Sequence, residues 1–343
     1  MLTYEFDYEL PKNLIAQAPL PQREESRMMV LDRKRRQIIH SRFTEFPNYL
    51  NQGNVLVLNI AKVIPARVWG KNKNREIEFL FLKEREKGVW EVLCRPASKV
   101  RMNDIISFSH GFEAGVVGVE PEGKRVIQFS STNVLSWLKK IGFAPLPPYI
   151  KRSKKNAELK AQDLERYQTV FAQKEGSVAA PTAGFHFTTQ ILERIKARGV
   201  RIVKISLDVG QATFQPVRTA RVENHHMLEE TYSISLAASQ EIEEAKKESR
   251  PVVAVGTTSV RALESAARGG KIQAGASSTN LFISPGYEFK VVDRLLTNFH
   301  LPKSTLLMLV AAFAGLDFIK KAYQEAVKQK YRFYSYGDCM LIL

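Results

Sequence analysis

The chain has 343 residues, 44% of them hydrophobic and 25% charged, a balance that excludes a disordered or fibrous protein and allows two domains, each with its own core. Lys and Arg number 51 against 35 Asp and Glu, for a net charge of +16 and a pI near 9.7, which points to a polyanionic partner. Cysteine is confined to Cys94 and Cys339, with no CxxC spacing, so neither a disulfide framework nor a zinc site is expected and a reducing cytoplasm fits.

The opening MLTYEFDYELPK is acidic and broken by Pro11, unlike a secretory or mitochondrial leader. NVLVLN at 54–59 reads as an apolar strand that needs a sheet partner. From Val68 to about Gln128 the pattern is short and strand-like. EIEFLFL puts Ile77, Phe79 and Phe81 on one face, and WEVLC, DIISF, AGVVGVE and RVIQF follow between turns. Strands so closely spaced, with nothing to cross over between them, predict a small β-barrel or sandwich. Asn133 to Ile141 reads as a helix with Val134, Leu135, Leu138 and Ile141 on one stripe.

After the proline-rich connector PLPPYI at 145–150 the pattern turns α/β. Helix 188–199 is followed by strand VRIVKISL, helix 237–248, strand VVAVG, helix SVRALESAA and helix STLLMLVAAFA. The expected architecture is a large α/β domain, residues 1–66 and 145–343, with a mixed, curved sheet covered by helices. A small all-β barrel, residues 67–144, is inserted into it. The longest apolar run, LLMLVAAFAG at 306–315, is half what a bilayer requires and reads as a buried helix, so no membrane partner is expected.

The chemistry-bearing segments gather in the second half. GSVAAPTAGFHFT at 176–188 sets His186 between Phe185 and Phe187, with Thr182 and Gly184 just before it. LDVGQATFQPVR brings Asp208 to a strand end, where a carboxylate is able to act as a base, and Gln215 follows seven residues on. VENHHMLEETYSI holds His225 and Glu230; its adjacent histidines point apart on most backbones and lack HExxH spacing, so no metal is expected. In VVAVGTTSVRALES, Gly256 to Ser259 stand between strand and helix, where free N–H groups and the Thr257, Thr258 and Ser259 hydroxyls suit a carboxylate or phosphate; an ordinary helix cap is the competing reading. No dinucleotide-type GxGxxG is present. LLTNFHLPKSTLLML carries Asn298, His300 and Lys303 in a loop, with His300 alone reading as a hydrogen-bonded structural histidine. Asp338 in YSYGDCMLIL has turn formation as its plain role.

Taken in order, GSVAAPTAGFHFT, VGQATFQPVR, VVAVGTTSVRALES, ISPGYEF, KVVDRLLTNFHLPKSTLLMLVAAFAG and YRFYSYGDCMLI resemble the S-adenosylmethionine:tRNA ribosyltransferase-isomerases of queuosine biosynthesis. FDYELPKNLIAQ near the start and RYQTVFA in the middle extend the resemblance nearly end to end. It implies an α/β domain with an inserted barrel. It also implies transfer and isomerisation of the ribosyl part of S-adenosylmethionine onto 7-aminomethyl-7-deazaguanine in the tRNA anticodon. The product is epoxyqueuosine, and adenine and methionine are released. S-adenosylmethionine is then a co-substrate, no metal is required, and the partner is a tRNA with a GUN-type anticodon; a cytoplasmic monomer is implied.

That reaction needs a base in a dry pocket, because proton loss from the ribose 5′-carbon gives an ylide stabilised by the sulfonium. His186, Asp208 and His300 are the catalytic candidates. The substrate-binding candidates are Thr182, Gly184, Gln215, His225, Glu230, Thr257, Thr258, Ser259, Arg261, Asn298, Lys303 and Asp338. Among these, Arg261 is assigned to the methionine carboxylate, against the alternative of a solvated helix charge. Arg67, Arg95, Lys99, Arg101, Lys151 and Arg152 flank the domain junction and are expected to follow the RNA backbone. The chain departs from the family's usual pattern at Ile60, Ala61 and Lys62, at Asp208 in place of a histidine, at Ala212 in place of a glycine and at Leu228 in place of a histidine. A catalytically altered tRNA-binding relative of the same fold is therefore the alternative expectation, and a methyltransferase ranks last.

Overall fold

The computed structural model describes residues 1–152, 157–210 and 216–343. In chain order, β1 (Arg27–Asp32) and β2 (Gln37–Arg42) form a hairpin, and β3 (Val55–Asn59) and β4 (Ala61–Val63) lead into the barrel strands. These are β5 (Arg67–Asn72), β6 (Arg75–Glu86), β7 (Val89–Arg95), β8 (Ile105–Ser107), β9 (Glu113–Val119) and β10 (Lys124–Phe129). Next come α1 (Val134–Ile141), α2 (Ala157–Arg166), β11 (Lys174–Ser177), α3 (Thr189–Ala197), β12 (Arg201–Leu207), β13 (Glu230–Ile234), α4 (Leu236–Lys247), β14 (Val252–Val255) and α5 (Thr257–Ala266). The chain closes with β15 (Ala267–Arg268), β16 (Lys271–Ile272), β17 (Gly275–Thr279), β18 (Arg294–Asn298), α6 (Thr305–Ala314), α7 (Leu316–Lys328) and β19 (Cys339–Ile342).

Among the described residues nine strands make one mixed sheet in the order β17-β13-β12-β3-β14-β18-β19-β1-β2. Its centre is parallel, with β12, β3, β14 and β18 running the same way. These central strands are apolar on both faces because both faces are covered: β3 is VLVLN and β14 is VVAV, buried throughout. Val55, Val57, Val252 and Ala254 pack under α4 to α7, while Leu56, Leu58, Val253 and Val255 join Phe43, Phe46, Phe187 and Ile191 on the other side. The last strand, β19, lies between β18 and β1, so the two ends of the chain meet inside the sheet. The outermost strands, β2 and β17, are polar and largely exposed, as unpaired edges must be in a soluble sheet.

The six barrel strands close in the order β10-β7-β6-β5-β8-β9. Phe79, Phe81, Phe108 and Phe129 fill the barrel, and α1 adds Val134, Trp137 and Leu138 to the same core. Trp137 stacks on Phe112 with ring centroids 4.8 Å apart and donates its indole N–H to the Ser109 carbonyl at 3.2 Å. Where the chain enters and leaves the barrel, Arg67 and Phe143 exchange N–H···O bonds, and just before it Ile64 donates to the Ser177 carbonyl of β11, which pairs with β4 in a separate two-stranded sheet. The six barrel strands and α1 thus match the strand-then-helix pattern expected from 68 to 141.

Candidate active site

Direction within the sheet decides where chemistry is possible. β3, β12, β14 and β18 all end on one edge, at Asn59, Leu207, Val255 and Asn298. β19 runs antiparallel to β18 and pairs Cys339 with Asn298, so Asp338 enters at that edge, and so does Glu230 at the start of antiparallel β13. Ligands of α/β sheets bind outside the carboxyl ends of parallel strands, and the candidate residues of five separate segments come together there. Asn59 ties the edge together. Its amide donates to the Leu207 carbonyl at 3.0 Å and to the Thr258 hydroxyl at 3.3 Å, and its Oδ1 accepts from the N–H of Ala61 and of Leu207. Sequence reasoning missed this residue, although a polar Asn ending the apolar run VLVLN was a visible signal.

His186 sits in the 3-10 turn Thr182–His186, buried, with both ring nitrogens engaged. Asn298 spends its amide N–H on the Tyr334 carbonyl at 2.9 Å, which turns its Oδ1 toward His186 Nε2 at 3.1 Å. The Nε2 is therefore assigned the proton, and Nδ1 accepts from the Ser26 hydroxyl at 2.8 Å. Burial, partly opposed by the Asn298 bond and reinforced by Arg23 and Arg332, holds the imidazole pKa down to about 4, so the ring is neutral at pH 7. Phe185 and Phe187 anchor the turn in opposite directions. Phe187 meets Phe43 and Phe46 at 4.9 and 5.7 Å, and Phe185 meets Tyr167 at 5.5 Å. Thr182 is half-buried at the head of the turn. Gly184 serves packing: a Cβ there would lie 2.6 Å from the Phe171 ring and 2.7 Å from the Thr169 methyl, so this glycine leaves room for protein and not for a ligand.

The turn meets the β14–α5 corner, since a Cβ on Gly256 would lie 3.7 Å from that of Ala183. Gly256 has φ +85°, the left-handed range that favours glycine, and donates to the Leu296 carbonyl at 2.8 Å. Thr257, Thr258 and Ser259 follow, all buried, with the Ser259 hydroxyl turned back onto the Val255 carbonyl at 2.7 Å. Ser259 is thus occupied, whereas the first turn of α5 presents its backbone N–H groups at the sheet edge.

Arg261 departs from the expectation. Its guanidinium is buried against Glu230 Oε2 and also donates to the Leu281 carbonyl at 3.0 Å and to the Thr279 carbonyl. Two residues separately expected to hold substrate are each other's partners, because a buried charge needs a counter-charge and the sheet places β13 opposite α5. Glu230 also accepts from the Gly210 N–H at 2.8 Å, so the pair fixes the loop that leaves β12.

Asp208 stands at the head of that loop. Its Oδ2 accepts from the Thr231 hydroxyl at 3.0 Å, while Oδ1 is buried with no hydrogen-bond partner among the described residues. Gln215 and Ala212 lie outside the described residues. His225 is half-buried edge-on to Phe282 at 5.2 Å, and Leu228 is exposed. His300 follows its structural reading: its Nε2 pairs with the Thr297 hydroxyl at 2.9 Å, its N–H donates to Tyr323, and burial pushes its pKa down to about 3. Lys303 pairs with Asp7 at 2.7 Å. Asp338 is also used by the fold, its two oxygens accepting from the N–H of Arg27 and of Arg332. Several of these residues are polar loop positions with partners far along the chain, such as Lys303 with Asp7 and Asp338 with Arg27, which is why spacing alone did not separate them from ligand-facing ones.

The basic residues divide likewise. Arg67 pairs with Glu78 at 2.9 Å, and Arg152 grips Asp163 through Nε at 2.6 Å and Nη2 at 3.0 Å. Both are held within the protein. Arg95, Lys99, Arg101 and Lys151 are exposed, and Lys99 and Arg101 share a surface groove of about 670 Å³ with Lys73 and Arg75. Of the departures, Ala61 is buried beside Asn59, and Lys62 pairs with Glu175 at 3.2 Å, which also pairs with Lys139 on α1. Among the described residues, no group of three or more His, Cys, Asp or Glu is placed to hold a metal ion, and no helix is long and apolar enough to cross a membrane.

Comparison with known proteins agrees with this arrangement. The family described as queuosine biosynthesis protein matches residues 3–342. The chain is 47% identical over 344 residues to the S-adenosylmethionine:tRNA ribosyltransferase-isomerase of Thermotoga petrophila and 49% identical over 348 residues to that of Halothermothrix orenii, covering all of each chain. The crystal structure of S-adenosylmethionine tRNA ribosyltransferase from Thermotoga maritima superposes with a TM-score of 0.56 at 38% identity, over 99% of this chain and 100% of that one. With a family match from end to end and a sheet edge that gathers its motif residues, this chain belongs to the queuosine biosynthesis protein family.

Proposed function

We propose that the protein is an S-adenosylmethionine:tRNA ribosyltransferase-isomerase. The observation that carries this reading is the 47–49% identity, without gaps in coverage, to proteins of that name. It favours the active enzyme over a catalytically altered relative. S-adenosylmethionine is the donor and tRNA the acceptor; the finer assignment, to 7-aminomethyl-7-deazaguanine in a GUN-type anticodon with epoxyqueuosine as product, extends the same reading. We also propose the division into an α/β domain of residues 1–66 and 145–343 and an inserted barrel domain of residues 67–144.

Within this reading the sheet edge holds the donor. The N–H groups opening α5, with Thr257 and Thr258, take the methionine carboxylate in place of Arg261, whose charge Glu230 already neutralises. Asp208 is the candidate base, since its Oδ1 is an acceptor at this edge with no bond among the described residues. Abstraction of the ribose 5′-proton leaves an ylide beside the sulfonium. Adenine departs, the aminomethyl nitrogen attacks, and closure to the epoxide expels methionine. His186 acts through its neighbours: a neutral ring locked between Ser26 and Asn298 positions the 176–188 turn. Thr182, on that turn, faces the same task of fitting the nucleoside.

Incubation with S-adenosylmethionine and precursor tRNA tests the reading. Adenine and methionine released in equal amounts are expected; S-adenosylhomocysteine would identify a methyltransferase, and no turnover would favour the altered relative.

A further inference from the structure

Around His186 the structure gathers charge that the mechanism does not use. Arg23, Arg166 and Arg332 are half-buried and spend their hydrogen bonds on carbonyl groups. Arg23 donates to Gln168, Phe185 and Glu165, Arg166 to Pro21 and Leu20, and Arg332 to Ala18. Among the described residues none of the three forms an ion pair with a carboxylate. Glu165 and Glu24 act on Arg23, and Asp338 on Arg332, only from a distance, and the Asp338 oxygens accept from backbone N–H groups.

Two guanidinium nitrogens in this cluster, Arg166 Nε and Arg332 Nη1, are buried with no hydrogen-bond partner among the described residues. A buried charged donor left unbonded is costly, so its persistence in a native fold calls for a partner. Arg23 and Arg166 line a cavity of about 20 Å³ with Ser26, His186 and Tyr336, room for a single oxygen atom. Burial, and then the neighbouring Arg166, pushes the Arg23 guanidinium below its ordinary value, only partly opposed by Glu165 and Glu24.

We propose that the Arg23–Arg166–Arg332 cluster binds one backbone phosphate of the RNA substrate, next to the nucleotide being modified. The proposal rests on the tRNA reading and adds a site to it. A phosphate brings anionic oxygen acceptors into direct contact, which the neighbouring carboxylates do not, and Arg is the side chain suited to it. Position supports the RNA source: the cavity shares His186 with the sheet edge, and the Tyr336 hydroxyl donates to Asp163 at 3.3 Å, linking the cluster to Arg152 and to exposed Lys151. A phosphate held here fixes the register of the strand while its base enters the pocket.

The test uses the full-length protein and an anticodon stem-loop carrying the precursor base, with affinity measured by fluorescence anisotropy across a KCl series. Arg166→Gln is expected to weaken binding at least fivefold and to flatten the slope of log K against log [KCl] by about 0.7, the share of one single-strand phosphate contact. Replacing single linkages by neutral methylphosphonates is expected to find one, within a few nucleotides of the target base, that costs the parent protein at least fivefold and costs Arg166→Gln nothing. Parental affinity and slope in a folded Arg166→Gln would overturn the proposal. If that variant fails to fold, the linkage scan on the parent decides: no sensitive linkage near the target base overturns the site. Failure of the parent to bind the RNA at all would instead overturn the tRNA reading, a separate and recognisable result. Inorganic phosphate that competes with the RNA in the parent but not in Arg332→Gln would support the site; equal competition in both would count against it.

Discussion

Glu230→Gln leaves the Arg261 guanidinium buried without its counter-charge. Both side chains are 5% exposed, and removing one partner of such a pair costs about 3–5 kcal/mol. At about 2.1 cal/mol/K per residue, a chain of 343 residues unfolds with an entropy near 0.7 kcal/mol/K, so a loss of about 4 kcal/mol lowers Tm by roughly 6 °C. Glutamine retains an oxygen for the Gly210 N–H, so the loss reports the charge. Thermal melts followed by circular dichroism measure it, and the Glu230→Gln/Arg261→Met double variant is expected to recover at least about 1 kcal/mol, because the two sites are coupled. A Glu230→Gln protein that melts within about 1 °C of its parent, while losing affinity for S-adenosylmethionine tenfold, would refute the reasoning and return Arg261 to the substrate.

His186 predicts a pH dependence. Its pKa falls from 6.5 to about 4 on folding, so its contribution to stability is present above about pH 6.5 and is lost as pH falls through about 4. Urea unfolding from pH 7 to 4 should show a shallower decline in His186→Gln, and an unchanged slope would contradict the assigned burial. Gly184→Ala forces a methyl against Phe171 and Thr169 and should cost about 1–3 kcal/mol in urea unfolding, with parental stability as the contrary result. Asp208→Asn should keep Tm within about 2 °C, because the Thr231 bond survives, yet slow single-turnover adenine release about a hundredfold. A rate within twofold of the parent would remove Asp208 from proton transfer.

The fold was legible where periodicity is strong. NVLVLN and VVAVG became β3 and β14, and helix 237–248 fell within a residue of α4. Such segments carry their own pattern of burial. Segments without that pattern were passed over: β17 is GASST, a polar edge strand paired with β13, and α7 begins at Leu316 after Gly315, whose φ of +89° breaks it from α6. The candidate site was legible as a set of segments that meet at one sheet edge, but not as a set of side-chain partners. His186, Asp208 and Asn298 do meet one sheet edge, whereas Arg261, Glu230, Asp338 and Lys303 are satisfied by protein partners that no local spacing reveals. The charge of +16 announced a polyanion. Which arginines are free to meet it depends on pairings such as Arg67 with Glu78 and Arg152 with Asp163, which exist only after folding.

The most direct measurement follows carbon. Precursor tRNA is incubated with the protein and S-adenosylmethionine labelled with ¹³C at all ribose carbons, then digested to nucleosides and weighed by mass spectrometry. The account predicts that the modified nucleoside gains the whole labelled five-carbon unit while unlabelled adenine is freed. A nucleoside that gains no label, or gains only a methyl group from methyl-labelled donor, would contradict it.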